Sequence, residues 1–161
     1  MKTLVLLRHA KSSWALNVAD RHRPLTEKGI RRIKKVALEC PDVFSGACTI
    51  FSSPANRAFH TASIMMYSLQ LNFDKLNLVE DLYTFEVSKL VYFIQNLSDS
   101  LNSVVCVGHN PAFTQAIEYL SGSDFAHLPT SGWAQLTFSQ NSWTAISKGT
   151  IKVGIPKKLL K

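Results

Sequence analysis

Short apolar runs alternate with longer stretches in which apolar residues recur every three or four positions, and the alternation is kept through most of the chain. Leu4 to Leu7 is unbroken apolar and reads as a buried strand. From Thr26, whose hydroxyl can cap a helix, Ile30, Ile33, Ala37 and Cys40 form a helical stripe that Pro41 stops. A second strand is predicted over Ala47–Phe51, followed by a helix that Pro54 opens and that carries Arg57, Ala58, Thr61, Ala62 and Met65. Leu76–Val79 reads as the third strand, and Leu90, Val91, Phe93, Ile94 and Leu97 mark an amphipathic helix beginning near Val87. The β-branched run Ser103–Val107 is the clearest strand, and Phe113, Ala116, Ile117 and Leu120 form a helix opened near Pro111 and closed by Gly122. The pattern then changes, because Trp133–Phe138 and Thr144–Val153 alternate apolar and polar residues around Gln140-Asn141-Ser142, which predicts a hairpin. Ile155–Lys161 is expected to be an edge extension or a frayed terminus. Strands alternating with helices predict an α/β fold, a three-layer α/β/α sandwich with a mainly parallel central sheet, as a single domain over residues 1–161.

Composition narrows the class. With 46% hydrophobic and 18% charged residues the chain is that of a soluble globular protein. No apolar run reaches the roughly 18 residues of a spanning helix, and Met1-Lys2-Thr3 leads straight into the first strand without a signal segment, so a cytoplasmic protein with no membrane role is expected. Cys40, Cys48 and Cys106 are unclustered and read as reduced and mostly packed. A formal charge of +7 admits an anionic partner. Lys28, Arg31, Arg32, Lys34 and Lys35 lie opposite the apolar stripe of the first helix, so they read as a solvated face, and no nucleic-acid-binding signature accompanies them.

The chemistry gathers at predicted strand ends. Arg8 and His9 end the first strand, Arg57 follows the second, Glu80 and Asp81 follow the third, and His109 ends the fourth. In a parallel sheet those ends share one edge, where ligand crevices lie. Two guanidiniums and two imidazoles around one crevice select an anion, and they suit the equatorial oxygens of a phosphoryl group in transfer. A neutral imidazole can also attack phosphorus and carry the phosphoryl group covalently.

These residues sit in a wider pattern. Leu7-Arg8-His9-Ala10-Lys11-Ser12-Ser13-Trp14, Arg23-Pro24-Leu25-Thr26-Glu27-Lys28-Gly29, Ser52-Ser53-Pro54-Ala55-Asn56-Arg57-Ala58 with Thr61-Ala62, Glu80-Asp81-Leu82-Tyr83 and Val107-Gly108-His109-Asn110-Pro111 occur in that order over most of the chain. In this the sequence resembles the histidine phosphatase superfamily, whose fold is phosphoglycerate mutase-like, and within it the SixA-like phosphohistidine phosphatase branch. The resemblance implies that His9 is the nucleophile and that Arg8, Arg57 and His109 form the phosphate pocket, with Ser12 adding a hydroxyl. Lys11 either attracts an acidic substrate or is simply solvated. The proton donor of the family falls at Glu80, with Asp81 beside it as an alternative and no acid at all as a third, since the P–N bond of a phosphohistidine substrate is labile. No metal or other cofactor is implied. Where the mutase branch carries an Asn, this chain has Ala15, and no long insertion closes over the pocket; both favour a phosphorylated protein over an enclosed metabolite. Hydrolysis of small phosphate esters or phosphoserine peptides is the alternative reaction, and a non-catalytic anion or nucleic-acid binding module is the remote one. His22, His60 and His127 show no metal-ligand spacing: His22 lies in a polar loop within reach of the rim, His60 reads as packed or surface, and His127 sits in a loop.

Overall fold

The computed structural model describes residues 1–161. In chain order it comprises β1 (Lys2–Arg8), α1 (Glu27–Glu39), α2 (Pro41–Ser45), β2 (Thr49–Ser52), α3 (Asn56–Ser68), β3 (Leu76–Leu78), α4 (Val87–Gln95), β4 (Ser103–Gly108), α5 (Ala112–Ser121), β5 (Trp133–Phe138), β6 (Thr150–Gly154) and α6 (Pro156–Leu159). The strands form one sheet in the order β3-β2-β4-β1-β5-β6. β3, β2, β4 and β1 run parallel, while β5 is antiparallel to both β1 and β6.

Alternation of side chains along a strand divides the core into two layers. Leu4, Leu6, Val104, Cys106 and Leu136 point to one face and are covered by α4 and α5 through Leu90, Ile94, Phe113 and Ile117. Val5, Leu7, Val105, Val107 and Ile50 point to the other, under Ile33 and Val36 of α1 and Ala58, Ala62 and Met65 of α3. The result is the expected three-layer sandwich. Its parallel half places the carboxyl ends of β2, β4 and β1 side by side, with Arg8 opposite Gly108 and Ser52 opposite Val107.

Four local expectations are corrected. The hairpin partner of β5 begins at Thr150 rather than Thr144, because Trp143 leaves the sheet to become wholly buried, its backbone N–H donating to Asp99 Oδ1 at 2.8 Å and its indole N–H to the Leu101 carbonyl at 2.8 Å. The Lys2 ammonium lies 5.6 Å from the centre of the Trp143 ring and donates to the carbonyls of Asp99 and Leu101, closing the same corner. Pro54 does not open α3, which starts at Asn56; the chain bends over Ser53–Ala55, where Ser53 Oγ accepts the Ala55 N–H. The cysteines are not mostly packed, since Cys48 is exposed, Cys40 is half-buried and only Cys106 is buried. Finally, the tail is neither strand nor frayed end: Pro156 begins a short helix whose Leu159 and Leu160 pack against the α1 and α3 layer.

Two outcomes follow from this packing. Trp143→Ala should lower the unfolding free energy by about 3–5 kcal/mol in a denaturant titration, the cost of emptying a buried aromatic site. Burial pushes the Cys106 thiol up to about 12. A maleimide at neutral pH should therefore label Cys48 in the folded protein and reach Cys106 only on unfolding, as read by intact-mass spectrometry.

Candidate active site

Beyond the carboxyl ends of β1 and β4 the chain opens a cavity of about 500 Å³, lined among others by Arg8, His9, Arg57 and His109. The strand register explains why the two imidazoles meet. His9 N–H donates to the Gly108 carbonyl at 3.1 Å and Ser53 N–H donates to the Val107 carbonyl at 3.0 Å, so the parallel ladder runs one step past the strands. The centroids of the His9 and His109 rings stand 5.3 Å apart, tilted by 52°.

The hydrogen bonds decide which nitrogen of His9 is free. Its Nδ1 is 2.7 Å from the carbonyl oxygen of Ala10, which can only accept, so Nδ1 carries the hydrogen and Nε2 keeps its lone pair. Ala10 is fixed in turn, since its N–H donates to Thr61 Oγ1 at 2.9 Å and the Thr61 hydroxyl donates to the Arg57 carbonyl at 2.6 Å. Thr61 thus ties the segment carrying His9 to the helix carrying Arg57. Burial, only partly offset by the bond to Ala10 and reinforced by the charges of Arg57, Arg8 and Arg23, lowers the His9 pKa to about 4. His109 is lowered to about 3, first by burial and then by His9 and Arg57. Both rings are neutral at physiological pH.

His109 Nε2 lies 2.8 Å from Ser53 Oγ. Ser53 Oγ also accepts the Ala55 N–H, so Ser53 holds the His109 ring through Nε2 and leaves Nδ1 outside that bond. That Nδ1 is buried and has no partner within the chain. Arg8 Nε and Arg57 Nε are likewise buried and unpartnered. Buried polar groups are rarely left unpaired, and two guanidinium donors and an imidazole nitrogen so placed around one cavity are the arrangement expected of a site that receives an acceptor-rich anion.

Arg57 is 2% exposed and sits in the first turn of α3. Its Nη1 donates to the Asp20 carbonyl at 2.7 Å and its Nη2 to Asp20 Oδ2 at 3.0 Å. Asp20 Oδ2 also accepts the Tyr83 hydroxyl at 2.6 Å, and Oδ1 accepts from Arg23 Nε at 3.2 Å. Partial burial opposes charge on Asp20, but the bonds from Tyr83, Arg57 and Arg23 overrule it and bring the carboxyl to about 2. Burial first, and then the bond to Asp20, raises Tyr83, so its hydroxyl stays a donor. The cavity holds the cations Arg8, Lys11, Arg23 and Arg57 against the single carboxylate Asp20, and its field is positive.

The loop after His9 rests on α1. Thr26 caps that helix by accepting the Gly29 N–H at 3.0 Å, and the Thr26 N–H donates to the Lys11 carbonyl at 2.9 Å. A Cβ at Gly29 would stand 2.3 Å from that carbonyl oxygen, so the close approach requires glycine. Ser12 bridges to Leu25, and its hydroxyl accepts from Arg23 Nη1 at 2.7 Å while lining the cavity. Lys11 lines the cavity from an exposed position. Trp14, 77% exposed, lays its ring over the Arg23 guanidinium, whose Cζ is 3.5 Å from the ring centre.

The carboxylates after β3 stand apart. Glu80 forms a two-pronged ion pair with Arg21, which holds its carboxyl below the usual carboxylate range, and neither Glu80 nor Asp81 lines the cavity of His9. They edge a separate groove with Ser88 and Tyr92. The expected quartet is thus brought together and the expected acid is not. Sequence reasoning singled out neither Asp20 nor the roles of Arg23, Tyr83, Ser53 and Thr61. Arg23, Ser53, Thr61 and Tyr83 lie inside the ordered motifs, whereas a lone Asp in a polar loop carries no periodic or motif signal. His127 Nε2 lies 3.4 Å from Arg8 Nη1 at the rim, while Arg8 Nη1 also donates to the Leu128 carbonyl at 3.0 Å. No group of three or more His, Cys, Asp or Glu residues is arranged to hold a metal ion.

Known proteins share this arrangement of elements. A chloroplastic protein of Arabidopsis thaliana, of uncharacterised function, is 30% identical over 152 residues, covering 88% of this chain and 69% of its own. The SixA protein of Agrobacterium tumefaciens is 27% identical with a TM-score of 0.76, over 85% of this chain and 92% of its own. The fold of the protein histidine phosphatase SixA, solved with tungstate, superposes with a TM-score of 0.79 at 22% identity, covering 98% of this chain and 99% of the other. The sequence model of the histidine phosphatase superfamily, branch 1, matches residues 4–84, the span that carries Arg8, His9 and Arg57. The family model covers half of the chain and the Arabidopsis relative is 30% identical, and this chain belongs to branch 1 of the histidine phosphatase superfamily.

Proposed function

We propose that the protein is a metal-independent phosphatase that works through a phosphohistidine on His9 and takes its phosphoryl group from a phosphohistidine side chain of another protein, such as a phosphotransfer domain. The observation that carries the reading is the fixed tautomer of His9. Its Nδ1–H is committed to the Ala10 carbonyl, so the lone pair on Nε2 is available without any proton having to leave. Arg8 and Arg57 supply donors to the phosphoryl oxygens as charge builds on them, with His109 beside them and Ser12 and Lys11 at the edge. Nucleophilic attack forms the N–P bond as the bond to the leaving group breaks. Water then attacks phosphorus, the N–P bond breaks, and Nε2 recovers its electron pair as inorganic phosphate leaves.

The preference for a protein substrate rests on the mouth of the site. Its rim carries Trp14 at 77% and Phe85 at 46% exposure, an aromatic margin suited to a docked surface. Of the SixA proteins of like fold, that of Agrobacterium tumefaciens is named a phosphohistidine phosphatase and the tungstate complex a protein histidine phosphatase, which supports the same direction. No helix is long and apolar enough to cross a membrane. The basic residues of α1 lie mainly in solvent, where Arg31 meets Glu27 at 3.8 Å, so nothing in their arrangement calls for nucleic acid.

Rapid quenching during turnover of a phosphohistidine-bearing phosphotransfer domain should trap acid-labile phosphate on the wild type and none on His9→Ala. Equal labelling of the two would sink the assignment. The kcat/KM for the protein substrate should also exceed that for small esters and phosphoserine peptides; the reverse order would give the site to the ester reaction. The pH dependence has a definite sign. His9 must be neutral to attack, and its folded pKa of about 4 lies below the ordinary imidazole value, so it stays competent as pH falls through 6.5. After allowance for the substrate's own ionisation, the acid limb of kcat/KM should lie near pH 4 rather than near 6.5. The same depressed values of His9 and His109 make the unfolded state bind more protons in that window, so unfolding free energy should decline as pH drops from about 6.5 towards 4.

A further inference from the structure

We infer that Asp20, and not Glu80, is the carboxyl that serves this site, holding Arg57 while the site is free and delivering the proton to the leaving group once a phosphoryl group has taken Arg57 from it. The inference rests on the phosphohistidine mechanism just proposed, and its basis is a competition for donors. Both terminal nitrogens of Arg57 are bonded to Asp20, one to the backbone carbonyl and one to the carboxylate, while Nε stays unpartnered. A phosphoryl group bound between His9 and Arg57 draws on the same guanidinium, first through the unpartnered Nε and then in competition with Asp20 for the terminal nitrogens. Asp20 is thus the anion already seated on the anion-binding arginine, and a bound phosphoryl group weakens its hold.

That competition changes the chemistry of the carboxyl. In the free site the groups facing it are Arg57 from α3, Arg23 from the loop before α1, and Tyr83 from the turn after β3, with the neutral His9 and His109 lining the same cavity. These three donors favour the charged form. With Arg57 turned to the phosphoryl group, Asp20 loses an ion pair and gains an anionic neighbour, and both changes favour the protonated acid. A monoanionic phosphoryl group carries the proton in and gives it to Asp20. As Nε2 of His9 bonds to phosphorus, the bond from phosphorus to the leaving atom breaks with its electron pair, and that atom takes the proton from Asp20. In the second half-reaction the attacking water gives its proton to the Asp20 carboxylate. Tyr83 positions the acid throughout, because its hydroxyl, held 2.6 Å from Oδ2, can follow either protonation state. Glu80 has none of these relations: it lies outside the cavity, 70% exposed, locked to Arg21.

The test compares wild type, Asp20→Asn, Tyr83→Phe and Glu80→Gln on p-nitrophenyl phosphate, whose leaving group needs little protonation, and on phenyl phosphate, whose leaving group needs more, alongside a phosphohistidine protein. Asp20→Asn should lose roughly 10²–10⁴-fold in kcat/KM on phenyl phosphate and far less on p-nitrophenyl phosphate. Tyr83→Phe should show the same selectivity in weaker form, and Glu80→Gln should match the wild type on both. In parallel, inorganic phosphate should bind Asp20→Asn several-fold more tightly than wild type by calorimetry, since its competitor for Arg57 is gone. A loss spread evenly over both leaving groups, or weaker phosphate binding, would reduce Asp20 to a structural brace and overturn the inference. A leaving-group-selective loss in Glu80→Gln would overturn it in favour of Glu80. Wild type that traps phosphate on His9 while Asp20→Asn stays fully active on every substrate removes this inference alone; wild type without turnover on any of the three substrates removes the proposed function with it.

Discussion

Two parallel strands that end in register set the geometry on which the rest depends. Because Arg8 lies opposite Gly108 and the ladder continues through the His9 N–H, the two imidazoles leave the sheet as neighbours with no freedom to drift apart. A slip of one residue in β1 against β4 would also send Leu4 and Leu6 to the layer that now fits Val5 and Leu7, so the packing of both layers guards the spacing of the site. The chemistry is thereby held on the rigid part of the molecule. The loops contribute only what can be pinned to it.

That pinning follows charge. Arg8, Arg23 and Arg57 crowd one cavity, and guanidiniums so close require donors to be spent on acceptors. The fold answers with carbonyls of Leu128 and Asp20, the hydroxyl of Ser12 and the carboxylate of Asp20, and leaves the Nε of Arg8 and of Arg57 unanswered. Those two guanidinium nitrogens stand at the mouth of the sheet, where an anion would complete them. The neutral state of His9 has the same origin, since burial and nearby positive charge both push protons off the ring.

The order of strands and helices, the two-faced core and the quartet of Arg8, His9, Arg57 and His109 were legible in the sequence because each depends on short-range pattern: apolar runs, helical stripes and motifs at strand ends. The hairpin was legible only as a pairing. Its second strand is shortened because Trp143 bonds to Asp99 and Leu101, 44 and 42 positions away, and Lys2 bonds to the same two residues across 97 and 99 positions, which no local alternation contains. Asp20 was invisible for a related reason. An isolated acid in a polar loop looks solvated until the fold brings Arg23, Arg57 and Tyr83 to it.

The misplacement of Glu80 in the expected site has the complementary cause. A carboxylate directly after a strand end falls at the correct edge of the sheet, but β3 is the outermost strand, and its end lies too far along the edge for Glu80 to line the cavity; Arg21 is nearer and captures it. By itself the sequence determined the fold class, the family and the gathering of Arg8, His9, Arg57 and His109 at one sheet edge, because local periodicity and ordered motifs encode them. The tertiary structure alone decided which nitrogen of His9 is free, which carboxylate reaches Arg57 and which donors remain unpaired, because each of these is a contact between segments distant in the chain, and only folding settles which distant groups come within hydrogen-bonding reach.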